Sequence, residues 1–126
     1  MNAALRAQQR YQEEAILSAS PQRLLTMLCD RLVLDVQRGE AAQLRGDWTA
    51  ANVELQHAQQ ILTELSASLT DDWEGSAQLR ALYGYITRTL IGANIGRDPE
   101  RTRECIELLT PLRDAWHAAA DALAAV

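Results

Sequence analysis

With 126 residues and a mass of 14.0 kDa, the chain has room for one domain with a hydrophobic core and little for a second. Its 48% hydrophobic content, three prolines, six glycines and lack of phenylalanine favour helices packed by Leu and Ala over a β-rich core. A formal net charge of -5 with no run of basic residues argues against nucleic acid as a partner.

Residues 1 to 19 are rich in Gln and Ala, and their large apolar groups, Leu5, Tyr11, Ile16 and Leu17, are too sparse to close a core. They read either as a frayed terminus or as a flexible arm whose Tyr11, Ile16 and Leu17 lie over a groove of the bundle when it is empty. Residues 20 to 126 then form a single helical domain. Ser20-Pro21 starts the first helix, since Ser can cap free amides and Pro at the first helical position has no amide to lose. Leu25, Leu28, Leu32 and Val36 give it an inward stripe flanked by Leu24 and Met27. Gly39 marks a close helix contact, and Gly46 ends the run.

Asp47 caps the second helix, where Ala51, Leu55, Ala58, Leu62, Leu65 and Leu69 alternate steps of four and three, the seam of an antiparallel bundle. A polar connection carrying Asp71, Asp72 and Trp73 leads to a third helix from Gly75 or Ser76 to Asn94. Asp98-Pro99 repeats the cap-then-proline signal. The fourth helix is expected to bury Thr102, Cys105, Leu109, Leu112, Trp116, Ala119 and Leu123, with a kink at Pro111. Such short connections make successive helices antiparallel neighbours. The expected fold is all-α, an up-down four-helix bundle.

The third helix stands apart. From Gly75 to Arg97 the chain holds no carboxylate, only Arg80, Arg88 and Arg97. Leu79, Leu82, Tyr83, Ile86, Leu90 and Ala93 form one stripe at about 100° per residue, while Tyr85 and Ile91 fall to either side and Asn94 sits at the edge. The apolar surface is wider than one buried seam requires, so Tyr85, Arg88, Ile91 and Asn94 are the candidate contacts for another polypeptide. Tyr85 reads equally well as edge packing. Trp48 and Trp73 are expected to pack over helix ends and Trp116 in the core.

Catalytic chemistry finds little support. A bundle can hold two metals with a Glu-x-x-His on each of two helices and a Glu from each of the others. Glu54 and His57 match that pattern once, but His57 points away from the seam, His117 lies outside the fourth helix's stripe, and the third helix has no carboxylate. Both histidines are expected to face solvent. Cys29 and Cys105 lack zinc-type spacing and have no His or Lys nearby in sequence, so buried free thiols are expected. No phosphate loop or nucleophile elbow is present. No enzyme, metal or cofactor is expected. No apolar run approaches the roughly 18 residues that cross a bilayer, and the first residues lack a secretion signal's apolar stretch, which points to the cytosol.

Several stretches resemble the flagellar export chaperone family FliS. They are Ala19-Ser20-Pro21 leading into Leu24-Leu25-Thr26-Met27-Leu28, and Gly46-Asp47 followed by Ala51-Asn52 and Ala58-Gln59-Gln60-Ile61-Leu62. Leu82-Tyr83-Gly84-Tyr85-Ile86, Leu90-Ile91-Gly92-Ala93-Asn94 and Leu112-Arg113-Asp114-Ala115-Trp116 continue the likeness. Cys29 and Arg31 depart from it, standing where that family often has Tyr and Gly. The resemblance implies a four-helix bundle in the bacterial cytosol that binds the disordered C-terminal segment of flagellin, prevents its polymerisation and helps deliver it to the export gate. It adds Asn52 to the candidate contacts, and a monomer or weak homodimer is expected. The alternative is a structural bundle, a homodimer or adaptor, without flagellin binding.

Overall fold

A computed structural model describes residues 2–7 and 21–124. Four long helices follow one another: α1 (Pro21–Leu44), α2 (Trp48–Ala67), α3 (Ser76–Ile95) and α4 (Pro99–Ala124). No strand occurs among the described residues. A short helical turn at residues 3–7 precedes them, with Asn2 Oδ1 accepting from the Leu5 amide at 2.8 Å. Ser20 and the arm residues Tyr11, Ile16 and Leu17 lie outside the described residues, and Leu5 is exposed.

The helices begin and end where local chemistry directs. Asp47 Oδ1 accepts from the Ala50 amide at 3.1 Å, and Asp98 Oδ1 accepts from the amides of Glu100 and Arg101, so each aspartate satisfies donors that its helix leaves free. At the other ends, α1 and α3 close alike. The Asp47 amide reaches back to Ala42 O and the Gly46 amide to Gln43 O; the Asp98 amide reaches Ala93 O and the Arg97 amide Asn94 O. This is the Schellman closure, whose pivotal residue takes a left-handed backbone. Gly46 has φ 75°, and Arg97 has φ 52°. α3 therefore runs one residue past the expected Asn94.

Each helix packs against two others: α1 and α3 both lie against α2 and α4. The core between them holds Leu32, Val33 and Val36 of α1, and Leu55, Ala58, Leu62 and Leu65 of α2. α3 contributes Leu79, Tyr83, Ile86 and Leu90, and α4 contributes Cys105, Ile106 and Leu109. These follow the seams expected from periodicity, joined by Val33 and Ile106, with the expected Leu25, Leu28, Leu82, Leu112 and Trp116 packed only at the margin. At Gly39 a Cβ would come within 2.5 Å of Leu55 Cδ2, so the close α1–α2 approach depends on the missing side chain.

The α4 stripe fades earlier than expected. Ala119 is exposed and Leu123 is 61% exposed, on the wall of a shallow concavity that they share with Gln22 and Leu25 at the start of α1. α4 also continues through Pro111 as one helix, with the proline ring on its exposed side.

Buried polar groups tie the helices together. Gln43 of α1, 3% exposed, donates through Nε2 to Ala93 O of α3 at 3.1 Å and accepts from Thr102 Oγ1 of α4 at 2.6 Å. Asp35 of α1 is fully buried and meets Arg31 Nε at 2.9 Å and the His57 ring of α2. His117 of α4 pairs with Asp30 of α1 at 2.7 Å. Neither histidine is a free solvent-facing side chain, as the sequence led us to expect; each docks on a carboxylate of α1.

Both thiols are free and buried. Burial pushes Cys29 up to about 11 and Cys105 up to about 12, with Asp30 and Glu104 adding to the shifts; burial, reinforced by Cys29, raises Tyr83 to about 12.

Two predictions follow from this core. Gly39→Ala should lower stability by about 1 kcal/mol in urea unfolding, because displacing Leu55 in a packed core outweighs the ~1 kcal/mol gain in helix propensity. A stabilised variant would mean that Leu55 yields freely. Unfolded thiols ionise near 9.0, whereas the folded ones hold their protons to about 11 and 12, so between those values the native state binds more protons. Stability contributed by the neutral thiols is full below pH 9.0 and lost as pH rises through the folded values. The chain contains no lysine to obscure the effect. Urea midpoints should hold level to about pH 9 and then fall, and Ellman's reagent should leave the native thiols unreacted near pH 8; rapid native labelling would contradict this.

Candidate functional site

α3 presents its outer surface on two flanks, and the structure separates residues that the sequence had grouped. Tyr85 and Ile91 are six residues apart, about 120° around the helix axis. Tyr85, 43% exposed, turns toward α4, where its hydroxyl donates to Glu104 Oε1 at 2.5 Å. That hydrogen bond and the charge on Glu104 raise the phenol's pKa above its ordinary value. Tyr85 is thus both an edge residue and partly accessible.

Asn94 turns toward α2, donating through Nδ2 to Asn52 Oδ1 at 2.8 Å. The Asn94 amide reaches a side chain 42 residues earlier because the C-terminal half of α3 lies beside the first turns of α2. Ile91 is 40% exposed and Ile95 is 81% exposed on the same helix. Arg88 is exposed and forms no ion pair among the described residues. Of the five candidate contacts, the structure joins Asn52 and Asn94 directly and sets Tyr85 apart on the opposite flank.

Asn52 and Asn94 line a cleft of about 260 Å³ together with Trp48, Ile95 and Arg97. Trp48, the first residue of α2, is half-buried, and the Arg97 guanidinium lies over its ring with Cζ 5.2 Å from the centroid. The expectation that Trp48 covers a helix end is met. Trp73 does the same at the start of α3, where a Cβ on Gly75 would come within 2.6 Å of its ring, and it stands 6.3 Å from Trp116. Ile95 and Arg97 were missed as site residues. Arg97 was named from sequence only as one of three cations; the signal that could have found it was a non-glycine residue where the chain must reverse after α3.

A second concavity, about 480 Å³ and mostly apolar, is lined by Leu24, Met27 and Leu28 of α1, with Arg31 and His57 at its rim. The two rim residues are those that hold buried Asp35, so this groove has a fixed polar edge. Leu24 and Met27 read from sequence as flanks of the core stripe; here they face outward into the groove.

No group of three His, Cys, Asp or Glu that could hold a metal exists among the described residues, and Glu54-x-x-His57 is separated in role, since His57 serves Asp35. No described helix is long and apolar enough to cross a membrane.

Comparison with known proteins bears on what such a surface serves. The family model described as "Flagellar protein FliS" matches residues 3–123. The flagellar secretion chaperone FliS of Bacillus subtilis is 33% identical over 106 residues, covering 84% of this chain and 80% of that protein. The Escherichia coli flagellar secretion chaperone FliS is 33% identical over 107 residues, covering 82% and 79%. The Vibrio cholerae protein of the same name is 26% identical over 119 residues, covering 92% and 88%.

Proposed function

The chain belongs to the FliS family of flagellar secretion chaperones, and on that footing we propose that it binds the C-terminal segment of flagellin in the bacterial cytoplasm. Binding holds flagellin unpolymerised and assists its delivery to the flagellar export gate. No catalysis, metal or cofactor is required for such a role.

The observation that carries the reading is the outer surface of α3, which has no carboxylate and leaves Ile91 and Ile95 in solvent beside the Asn52–Asn94 amide pair. An amphipathic or extended segment gains there by burying the isoleucines and pairing its polar groups with the amides, while Arg88 stands ready for an acidic side chain. Tyr85 provides a second contact where the segment wraps toward α4.

The scaffold suits the task as an antiparallel up-down bundle. Glu40 meets Arg103 while Asp30 meets His117, so the numbering rises along α4 as it falls along α1.

Calorimetric titration of the full chain with a flagellin C-terminal peptide, paired with thermal melts, tests this. Ile91→Ala should weaken binding about tenfold, the loss of roughly 1–2 kcal/mol of apolar burial, with little change in melting temperature. Ile86→Ala should reverse the order, losing roughly 2–5 kcal/mol of stability first through a core cavity. A dimer that ignores the peptide, in light scattering as in calorimetry, would support a purely structural bundle instead.

A further inference from the structure

We infer that the cleft between α2 and α3 is a carboxylate-binding subsite, built to hold a carboxylate that carries an apolar neighbour. The inference rests on the polypeptide-binding role proposed above and names one chemical group that the site recognises.

Its first support is the backbone of Arg97. The ends of α1 and α3 use the same closure, and α1 places Gly46 at the left-handed position, where no side chain is penalised. α3 places Arg97 there with φ 52°, a conformation unfavourable for any residue with a Cβ. Nothing in the closure itself needs an arginine, since its bonds are made by backbone amides. The side chain is what the strain retains.

The second support is where that side chain goes and what it lacks. The guanidinium is stacked over Trp48, which engages its face and leaves the in-plane N–H donors open. It has no carboxylate partner among the described residues. The aspartates beside it are committed: Asp47 caps α2 and lies 3.9 Å from Arg45, and Asp98 caps α4 and lies 3.7 Å from Arg101. In an acidic chain, a cation left unpaired and pinned in position is suited to an incoming anion.

The third support is the rest of the lining. Asn94 Nδ2 is occupied by Asn52 Oδ1, while Asn52 Nδ2 donates to no protein group among the described residues. Asn52 Nδ2 and the Arg97 fork therefore offer donors to one cleft of about 260 Å³, room for a carboxylate and a short side chain. Ile95, 81% exposed on its wall, supplies the apolar contact.

Two-dimensional NMR of the full chain provides the test, with N-acetyl-leucine as probe and N-acetyl-leucine amide as control. The acid should shift the Trp48 indole and the Asn52 and Asn94 side-chain amide resonances saturably, and the neutral amide should not. Arg97→Gly, which suits the left-handed backbone and so preserves the fold, should abolish the difference between acid and amide, as should Asn52→Ala. Equal shifts from both probes, or an Arg97→Gly variant that still prefers the acid, would overturn the proposal. This arm decides the subsite even if no flagellin segment binds.

With a flagellin C-terminal peptide, the source of the carboxylate is separable. Amidating the chain terminus should weaken binding about ten- to a hundredfold if the terminus occupies the cleft. Neutralising the peptide's Asp and Glu side chains should do so if one of those occupies it. A peptide that binds equally well in every neutralised form would contradict the subsite.

Discussion

The geometry of the binding end depends on a buried side-chain amide, Gln43. Its Nε2 holds the Ala93 carbonyl of α3 and its Oε1 accepts from Thr102 of α4, in a place shielded from water. A buried amide with its partners withdrawn is costly, so the three helix ends are held in one register or the network fails. Ala93 is also the carbonyl on which the Asp98 amide closes α3, so the same point fixes the chain reversal into α4. The position of Asn94, one residue on, follows, as does that of Arg97 within the reversal.

From that anchor the candidate site acquires its shape. α2 begins under Arg97 with Trp48, and one helical turn later Asn52 accepts from Asn94. Ile91 and Ile95 are left outside because the positions of α3 that can face the core are already filled by Leu79, Tyr83, Ile86, Leu90 and Ala93. The second groove, between Leu24, Met27 and Leu28, has a comparable frame in Asp35, which holds both Arg31 and His57. A long segment could use both surfaces: one exposes Ile91 and Ile95 beside the paired Asn52 and Asn94, and the other offers the part-buried Leu24, Met27 and Leu28 beside Arg31 and His57.

Much of the fold was legible because its determinants are local. Helical periodicity gave most of the α2 and α3 seams, missing buried Ile61 and including the part-buried Leu69 and Leu82, and Asp47, Gly46 and Asp98-Pro99 gave the boundaries, since a cap or a left-handed glycine acts on amides three or four positions away. Gly39 was read as a close contact, and Leu55 lies against it. What escaped were pairings set by how helices rotate against one another: His57 with Asp35, His117 with Asp30, Gln43 with Thr102, and Tyr85 with Glu104. Periodicity also overstated α4, since a stripe records which residues share a face and not whether that face is covered: Ala119 and Leu123 keep the register of the stripe and are exposed. Of the residues now grouped at the candidate site, Ile91 and Asn94 came from periodicity and Asn52 from the resemblance; Arg97 was read only as one of three cations, because its backbone angle and its stacking on a tryptophan 49 residues away are not written in local sequence.

The central claim is that a bound polypeptide lies on the end of the molecule shared by α2 and α3. Hydrogen exchange on the full chain, with and without the C-terminal segment of flagellin, bears on it most directly. Binding there should slow exchange in peptides spanning residues 45–56 and 88–98, with the middle of α1 unchanged. Slowing confined to α1 and α4, with residues 88–98 exchanging as in the free protein, would contradict it.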